Sequence, residues 1–219
     1  MKTATAEILR EYGPYPGVTD IGGVTFDGRN VWFASGDRIN AIDPATGEPV
    51  RAIEMANADA GTAFDGQHIF QVVEDRIEKI DPETGRVLAT IPAPGGGSDS
   101  GLAWAEGSLW VGQYRARRIH QIDPETGKIL RTIESNRFVT GVTWVDGELW
   151  HGTWEDDRSD VRHVDSRTGE VLEILEMPEG VHVSGLDSDG SGRFFCGGGS
   201  TGTLRAVRRP ARAAGAPSA

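Results

Sequence analysis

Apolar residues fall in short runs along this chain, and turn residues separate the runs. In the stretch from Gly101 to Ile133 four such runs can be read, approximately Gly101–Trp104, Leu109–Gln113, Ile119–Ile122 and Ile129–Ile133. They are rich in valine, isoleucine and aromatics, as strands bounded by tight turns should be. Near-copies of the stretch open at Gly23, Gly61, Gly141 and Gly185, so the opening glycines are spaced by 38, 40, 40 and 44 residues. A bulky aromatic stands nine residues after each glycine: Trp32, Phe70, Trp110, Trp150 and Phe194. A period near 40 built from short strands predicts an all-β fold, a five-bladed β-propeller with one four-stranded blade per copy. The repeated aromatic is expected to pack between neighbouring blades, which can bury their faces only against one another.

The copies set approximate blade limits of 19–55, 57–94, 97–135, 137–177 and 181–210 within one domain spanning 1–210. The fifth copy lacks its last strand, and Pro210 falls where the turn proline belongs. Glu7-Ile-Leu-Arg-Glu-Tyr12 resembles Ile129-Leu-Arg-Thr-Ile133. Residues 6–12 are therefore expected to close the ring as the outer strand of the last blade. Residues 211–219 read as a disordered tail.

The first three copies join their third and fourth strands by a D-P-x-T-G turn, at Asp43–Gly47, Asp81–Gly85 and Asp123–Gly127, and Asp165–Gly169 keeps the frame without the proline. Proline pre-sets φ, glycine supplies the left-handed residue, and the aspartate accepts backbone N–H groups of the turn. These aspartates read as structural rather than as ligands.

Composition narrows the partners. The chain of 219 residues carries 22 Lys and Arg against 33 Asp and Glu, a formal charge of −11. That balance repels a phosphate backbone and argues against nucleic acid. No apolar run is long enough to cross a membrane as a helix. The start of the chain has no apolar stretch of signal-peptide length. A cytoplasmic monomer acting on a small molecule or peptide is the expectation. The single cysteine, Cys196, leaves no internal disulfide. No metal-ligand spacing, nucleophile elbow, P-loop or zincin motif is present.

Repeats supply their own reference: residues that follow the template are structural, and departures near the channel are candidates for function. The positions ahead of the opening glycines include Asp20, Asp59, Asp99, Thr140 and Ser184. Three carboxylates around a narrow channel can bind an amine or a cation, or they can cap turns and face solvent. The second strand diverges as well, with Gln113 in copy three, His151 and Trp154 in copy four, and Cys196 before three glycines in copy five. From the aromatic to the turn aspartate the chain takes 11 residues in copies one and two, 13 in three and 15 in four. The extra residues around Trp154, Glu155, Asp156 and Asp157 are expected to form a rim over the channel mouth.

Leu102-Ala-Trp-Ala-Glu-Gly-Ser-Leu-Trp110 followed by Ile122-Asp-Pro-Glu-Thr-Gly-Lys128 resembles the glutamine cyclotransferase family, the plant and bacterial type of glutaminyl cyclase. So does Val142-Thr-Trp-Val-Asp-Gly-Glu-Leu-Trp150 with His151-Gly-Thr-Trp154. The blade pattern is also similar to virginiamycin B lyase-like propellers. The resemblance implies a five-bladed propeller that converts N-terminal glutamine to pyroglutamate with loss of ammonia. The family's motif opens the first blade with Gln-Gly and the second with Glu-Gly, and places Asn-Glu-Leu-Glu-Trp in the fourth. Here those places read Gly22-Gly23, Ala60-Gly61 and Thr140-Gly-Val-Thr-Trp144, and Trp154 alone fits the family's channel tryptophan. Asp59 then has to serve for the missing glutamate. The resulting reading is a cyclotransferase-like propeller with Asp59 and His151 as catalytic candidates. Asp20, Asp99, Gln113, Thr140, Trp154, Ser184 and Cys196 are its substrate-binding candidates. Asp59, Asp99, His151 and Trp154 are expected to converge on one mouth. No cofactor is expected, though a divalent cation in the channel stays open. The alternatives are a non-catalytic ligand- or protein-binding propeller and a metal-dependent lyase or lactonase.

Overall fold

A computed structural model describes residues 1–211, and the tail from 212 to 219 lies outside the described residues. The chain begins with two strands, β1 (Lys2–Thr5) and β2 (Ile8–Tyr12), and then lays down its blades in order. Blade one is β3 (Val24–Phe26), β4 (Val31–Ser35), β5 (Arg38–Ile42) and β6 (Pro49–Glu54); blade two is β7 (Thr62–Phe64), β8 (Ile69–Val73), β9 (Arg76–Ile80) and β10 (Val87–Pro92). Blade three is β11 (Asp99–Ala105), β12 (Ser108–Gln113), β13 (Arg118–Ile122) and β14 (Ile129–Glu134). Blade four is β15 (Val139–Val145), β16 (Glu148–Glu155), β17 (Arg158–Val164) and β18 (Val171–Glu176). Blade five is β19 (Gly185–Ser188), β20 (Arg193–Gly197) and β21 (Leu204–Arg208), with β2 antiparallel to β21 as its outer strand. The five-bladed all-β ring and its N-terminal closure are thus as the repeats predict. One strand is not: β1 adds in parallel to the outer edge of blade four, pairing Lys2–Thr5 with Glu173–Glu176.

The repeated aromatics pack between blades. Phe70 stacks on Trp104 of the next blade at 5.5 Å, Trp110 meets Trp144 at 5.1 Å, and Trp150 meets Phe194 at 5.1 Å. Each inter-blade cluster mixes residues of two copies, which is how a repeat that cannot bury its own face becomes stable. The turn aspartates act as predicted. Asp43 accepts the Ala45 N–H at 2.7 Å, Asp81 that of Glu83 at 2.8 Å, Asp123 that of Thr126 at 2.8 Å and Asp165 that of Thr168 at 2.8 Å. Backbone N–H bonds hold the carboxyls of Asp81 and Asp165 below their ordinary range, and the Thr126 hydroxyl, followed by the Thr126 N–H, does so for Asp123.

Innermost strands β3, β7, β11, β15 and β19 touch in cyclic order around the axis. Their opening glycines leave no room for a side chain: a Cβ on Gly101 would lie 2.1 Å from the Thr140 carbonyl oxygen, and one on Gly23 would lie 2.2 Å from that of Ala60. Backbone therefore closes the channel at this level, and the residues just ahead of the glycines are left at its mouth. Farther along the axis, Asp187 accepts the hydroxyls of Thr25 at 2.9 Å and Thr143 at 2.6 Å, tying blade five to both neighbours. Backbone N–H groups of Phe26 and Ser188 complete its four partners.

Candidate functional site at the channel mouth

Above the glycine ring lies a cavity of about 620 Å³. The residue preceding each opening glycine lines it: Gly22, Ala60, Ser100, Thr140 and Ser184. In blades three and four the ladder carries a β-bulge here, with register breaking between Asp99 and Gly101 and between Val139 and Val142. Such bulges re-aim side chains, and they set Ser100 and Thr140 at the mouth.

The wall is divided by chemistry. Asp20, Asp59 and Asp99 come from blades one, two and three, while Tyr114, Trp154 and His182 come from the strand ends and linkers of blades three, four and five. Asp99 is 8% exposed and accepts the Gly95 N–H at 2.9 Å and the Gln113 side-chain N–H at 3.4 Å. Burial pushes its carboxyl above the ordinary carboxylate range, and those two bonds offset part of the rise. Asp59 is exposed at the rim of the cavity. Its carboxyl also rises, first through burial and further through the charges of Asp20 and Glu74, against the pull of its own backbone N–H. Asp20 accepts the Thr19 hydroxyl at 3.0 Å.

The aromatic wall is fixed from behind. Trp154 stacks on His182 with ring centroids 4.5 Å apart and planes 19° off parallel. The Tyr114 hydroxyl donates to the Trp154 carbonyl at 3.0 Å, and the Tyr114 ring packs on Phe138 at 4.8 Å. Arg117 and Glu155 form a hydrogen-bonded ion pair beside them. Asp156 and Asp157 take left-handed φ values of 54° and 57° in the hairpin that follows Trp154. They line a neighbouring groove rather than the mouth, and His182 belongs to both.

Of the residues singled out in the sequence, Asp20, Asp59, Asp99, Thr140, Trp154 and Ser184 come together at this cavity. Gln113 stands one layer behind, orienting Asp99. His151 and Cys196 do not reach it. His151 is 1% exposed, lies between Val142 and Arg162 in the sheet, and bonds the Gly152 carbonyl at 3.0 Å. Burial pushes its pKa down to about 4, so it is neutral and enclosed. This corrects the expectation that it shares the mouth with Asp59, Asp99 and Trp154. Cys196 is 1% exposed in an apolar cluster and its thiol is pushed up to about 12, which corrects its assignment to substrate binding. The glycines after it admit backbone: a Cβ on Gly198 would lie 2.6 Å from the His182 carbonyl oxygen. Two wall residues are absent from the sequence-based candidates. Tyr114 is one, although the longer loop of copy three points to it. His182 is the other: it stands among the positions ahead of the opening glycine Gly185, yet it is not one of the binding candidates chosen from them. Among the described residues, no group of three or more His, Cys, Asp or Glu side chains is placed to hold a metal ion.

A family model described as outer membrane protein assembly factor BamB matches residues 73–189. No curated protein matches the chain. Among solved structures, the glutaminyl cyclase of Myxococcus xanthus superimposes with a TM-score of 0.77 at 20% identity, covering 94% of this chain and 97% of that one. Hydrazine synthase of Kuenenia stuttgartiensis gives a TM-score of 0.52 at 18% identity, covering 82% of this chain and 56% of that one. At these identities the likeness is one of fold.

Proposed function

The chain belongs to the family described as outer membrane protein assembly factor BamB, whose model matches residues 73–189, and we propose that its channel mouth binds a primary amine, carried by a small molecule or a peptide N-terminus. The observation behind this reading is the chemistry of the wall. Asp59 and Asp99, from equivalent blade positions, and Asp20 close to that position line the same cavity as Tyr114, Trp154 and His182. An ammonium group gains from the carboxylates, and from the indole face if it lies over the ring. The apolar part of the ligand packs on the aromatic wall, which Tyr114 and Phe138 hold in place.

A second reading, glutaminyl cyclisation, is favoured by the elevated carboxyl of Asp59. In that reaction the amine nitrogen attacks the side-chain amide carbon, a C–N bond forms, and the bond to the departing ammonia breaks. Asp59 accepts the proton from the amine and returns it to the leaving nitrogen, a task suited to a carboxyl above its usual range. His151 takes no part in it, being enclosed away from the cavity. Titration calorimetry with butylamine separates binding from chemistry. The Asp59→Asn protein should bind it at least about tenfold more weakly, the effect of losing a hydrogen bond to a charged group. Equal affinities in both proteins would remove the amine site. Ammonia release from a glutaminyl peptide by the parent protein, lost in Asp59→Asn, would establish the cyclase reading. Its absence with amine binding retained would leave a binding propeller.

A further inference from the structure

Beside the mouth runs a groove of about 730 Å³, between the β16–β17 hairpin of blade four and the linker from Glu176 to His182 that leads into blade five. The two cavities meet at His182, which lines both. Met177 and Pro178 supply the groove's apolar lining. Arg137 braces the hairpin, donating to the Glu155 carbonyl at 2.9 Å and to that of Arg158 at 3.2 Å. Its guanidinium also lies 3.7 Å from the Glu155 carboxylate and 3.9 Å from that of Asp160, so its charge is already engaged.

The repeats show what is unusual about this hairpin. Blade two carries two acids at the same place, Glu74 and Asp75, and Arg76 lies 3.1 Å from one and 3.9 Å from the other. Blade four has Asp156 and Asp157 there, followed by Arg158 in the place of Arg76, yet neither aspartate has an ion-pair partner among the described residues. Across the groove, Glu176 and Glu179 are exposed and equally without one. The template thus neutralises its hairpin acids, and blade four leaves its own open on a groove that continues the mouth.

We propose that this groove is a subsite for a basic side chain, taking lysine or arginine from a peptide whose N-terminal amine lies in the mouth. The inference rests on the amine reading above and adds a second point of recognition outside the channel. Extended chain advances about 3.3 Å per residue, so a peptide leaving the mouth past His182 reaches the groove within about three or four residues. The methylene stem of lysine or arginine packs along Met177 and Pro178 while its charge stays at the acidic rim. Each exposed carboxylate contributes little alone, and salt screens them all, so the preference for basic peptides weakens as ionic strength rises.

The test is titration calorimetry with butylamine, the peptide amide Ala-Ala-Lys-Lys-Ala, its Ala-Ala-Glu-Glu-Ala counterpart, and the N-acetylated lysine peptide. Two groove variants are compared with the parent, Asp156→Asn/Asp157→Asn and Glu176→Gln/Glu179→Gln. Asparagine suits the left-handed φ values at 156 and 157. A control, Glu106→Gln/Glu125→Gln, removes the same charge from hairpins at the opposite end of blade three. The parent should favour the lysine peptide over the glutamate peptide by about tenfold. Each groove variant should weaken the lysine peptide by about three- to fivefold, with butylamine unchanged, and the control should leave both alone. Butylamine binding with no preference between the peptides, or a preference that the control lowers as much as the groove variants do, would overturn the subsite and leave the amine site standing. An N-acetylated lysine peptide that binds as tightly as the free one, and is still weakened by the groove variants, would uphold the subsite and remove the amine from the mouth. No binding of either lysine peptide would overturn the subsite.

Discussion

Asp99 and His151 show how two buried titratable residues of similar promise in sequence come to different ends. Asp99 opens β11 at the cavity, and its partners, the Gly95 N–H and Gln113, leave one face toward the mouth. His151 lies deeper in its strand, where the sheet encloses it from both neighbours. Alternation along a strand assigns a residue to a face, but says nothing of its height along the channel, and height decides access here. The enclosed histidine has a measurable consequence. Its folded pKa of about 4 lies below the ordinary 6.5, so the folded state resists protonation that the unfolded chain accepts. Its stabilising contribution is present above pH 6.5 and is lost as pH falls toward 4, a change of roughly 3 kcal/mol for this group. His120 and His163 are also pushed down by burial and add in the same direction. Chemical denaturation from pH 7 to 4 should therefore show a steep fall in stability that is shallower in His151→Gln. An unchanged slope would mean that the imidazole is not enclosed as described.

Elements repeat with a regularity that the sequence displays openly. The outer strand of every blade carries one bulged aliphatic residue left exposed: Leu9, Val50, Leu88, Leu130 and Leu172. The alternation that places neighbouring residues in the core resumes beyond each bulge. The closing strand β2 is legible in the sequence because residues 7–12 resemble residues 129–133. By contrast β1 is not legible, because Lys2–Thr5 has no buried position and adds to a finished blade edge through backbone bonds alone. The two strands should differ in worth. Deleting residues 2–5 removes only exposed side chains and should cost about 1 kcal/mol or less. Deleting 2–12 also removes buried Tyr12, whose ring packs against Phe195, and the ion pair of Glu11 with Arg205. The longer deletion leaves β21 without its partner and should abolish cooperative thermal unfolding by calorimetry. A cooperative transition near the parent Tm after the longer deletion would contradict ring closure by β2.

At the scale of the whole molecule, five copies around one axis produce a chemically uneven mouth. Template residues build the ring, and their period, aromatics and turn aspartates are readable because each recurs for one physical reason. The cavity is legible in half: residues just ahead of the glycines have to lie near the axis, which locates Asp20, Asp59, Asp99, Thr140 and Ser184. What escapes comes from loops and from packing partners at long range, as with Tyr114 bonding Trp154 across 40 residues of chain. Asp187 shows the same limit, since its clasp on Thr25 and Thr143 depends on the first and last copies being neighbours. That the mouth carboxylates receive an ammonium group is tested most directly by following aspartate side-chain carboxyl signals by NMR during a butylamine titration at pH 7. The signals of Asp20, Asp59 and Asp99 should shift together with one dissociation constant while that of Asp187 stays in place. Unmoved mouth signals at saturating amine, or shifts confined to aspartates elsewhere, would contradict the account.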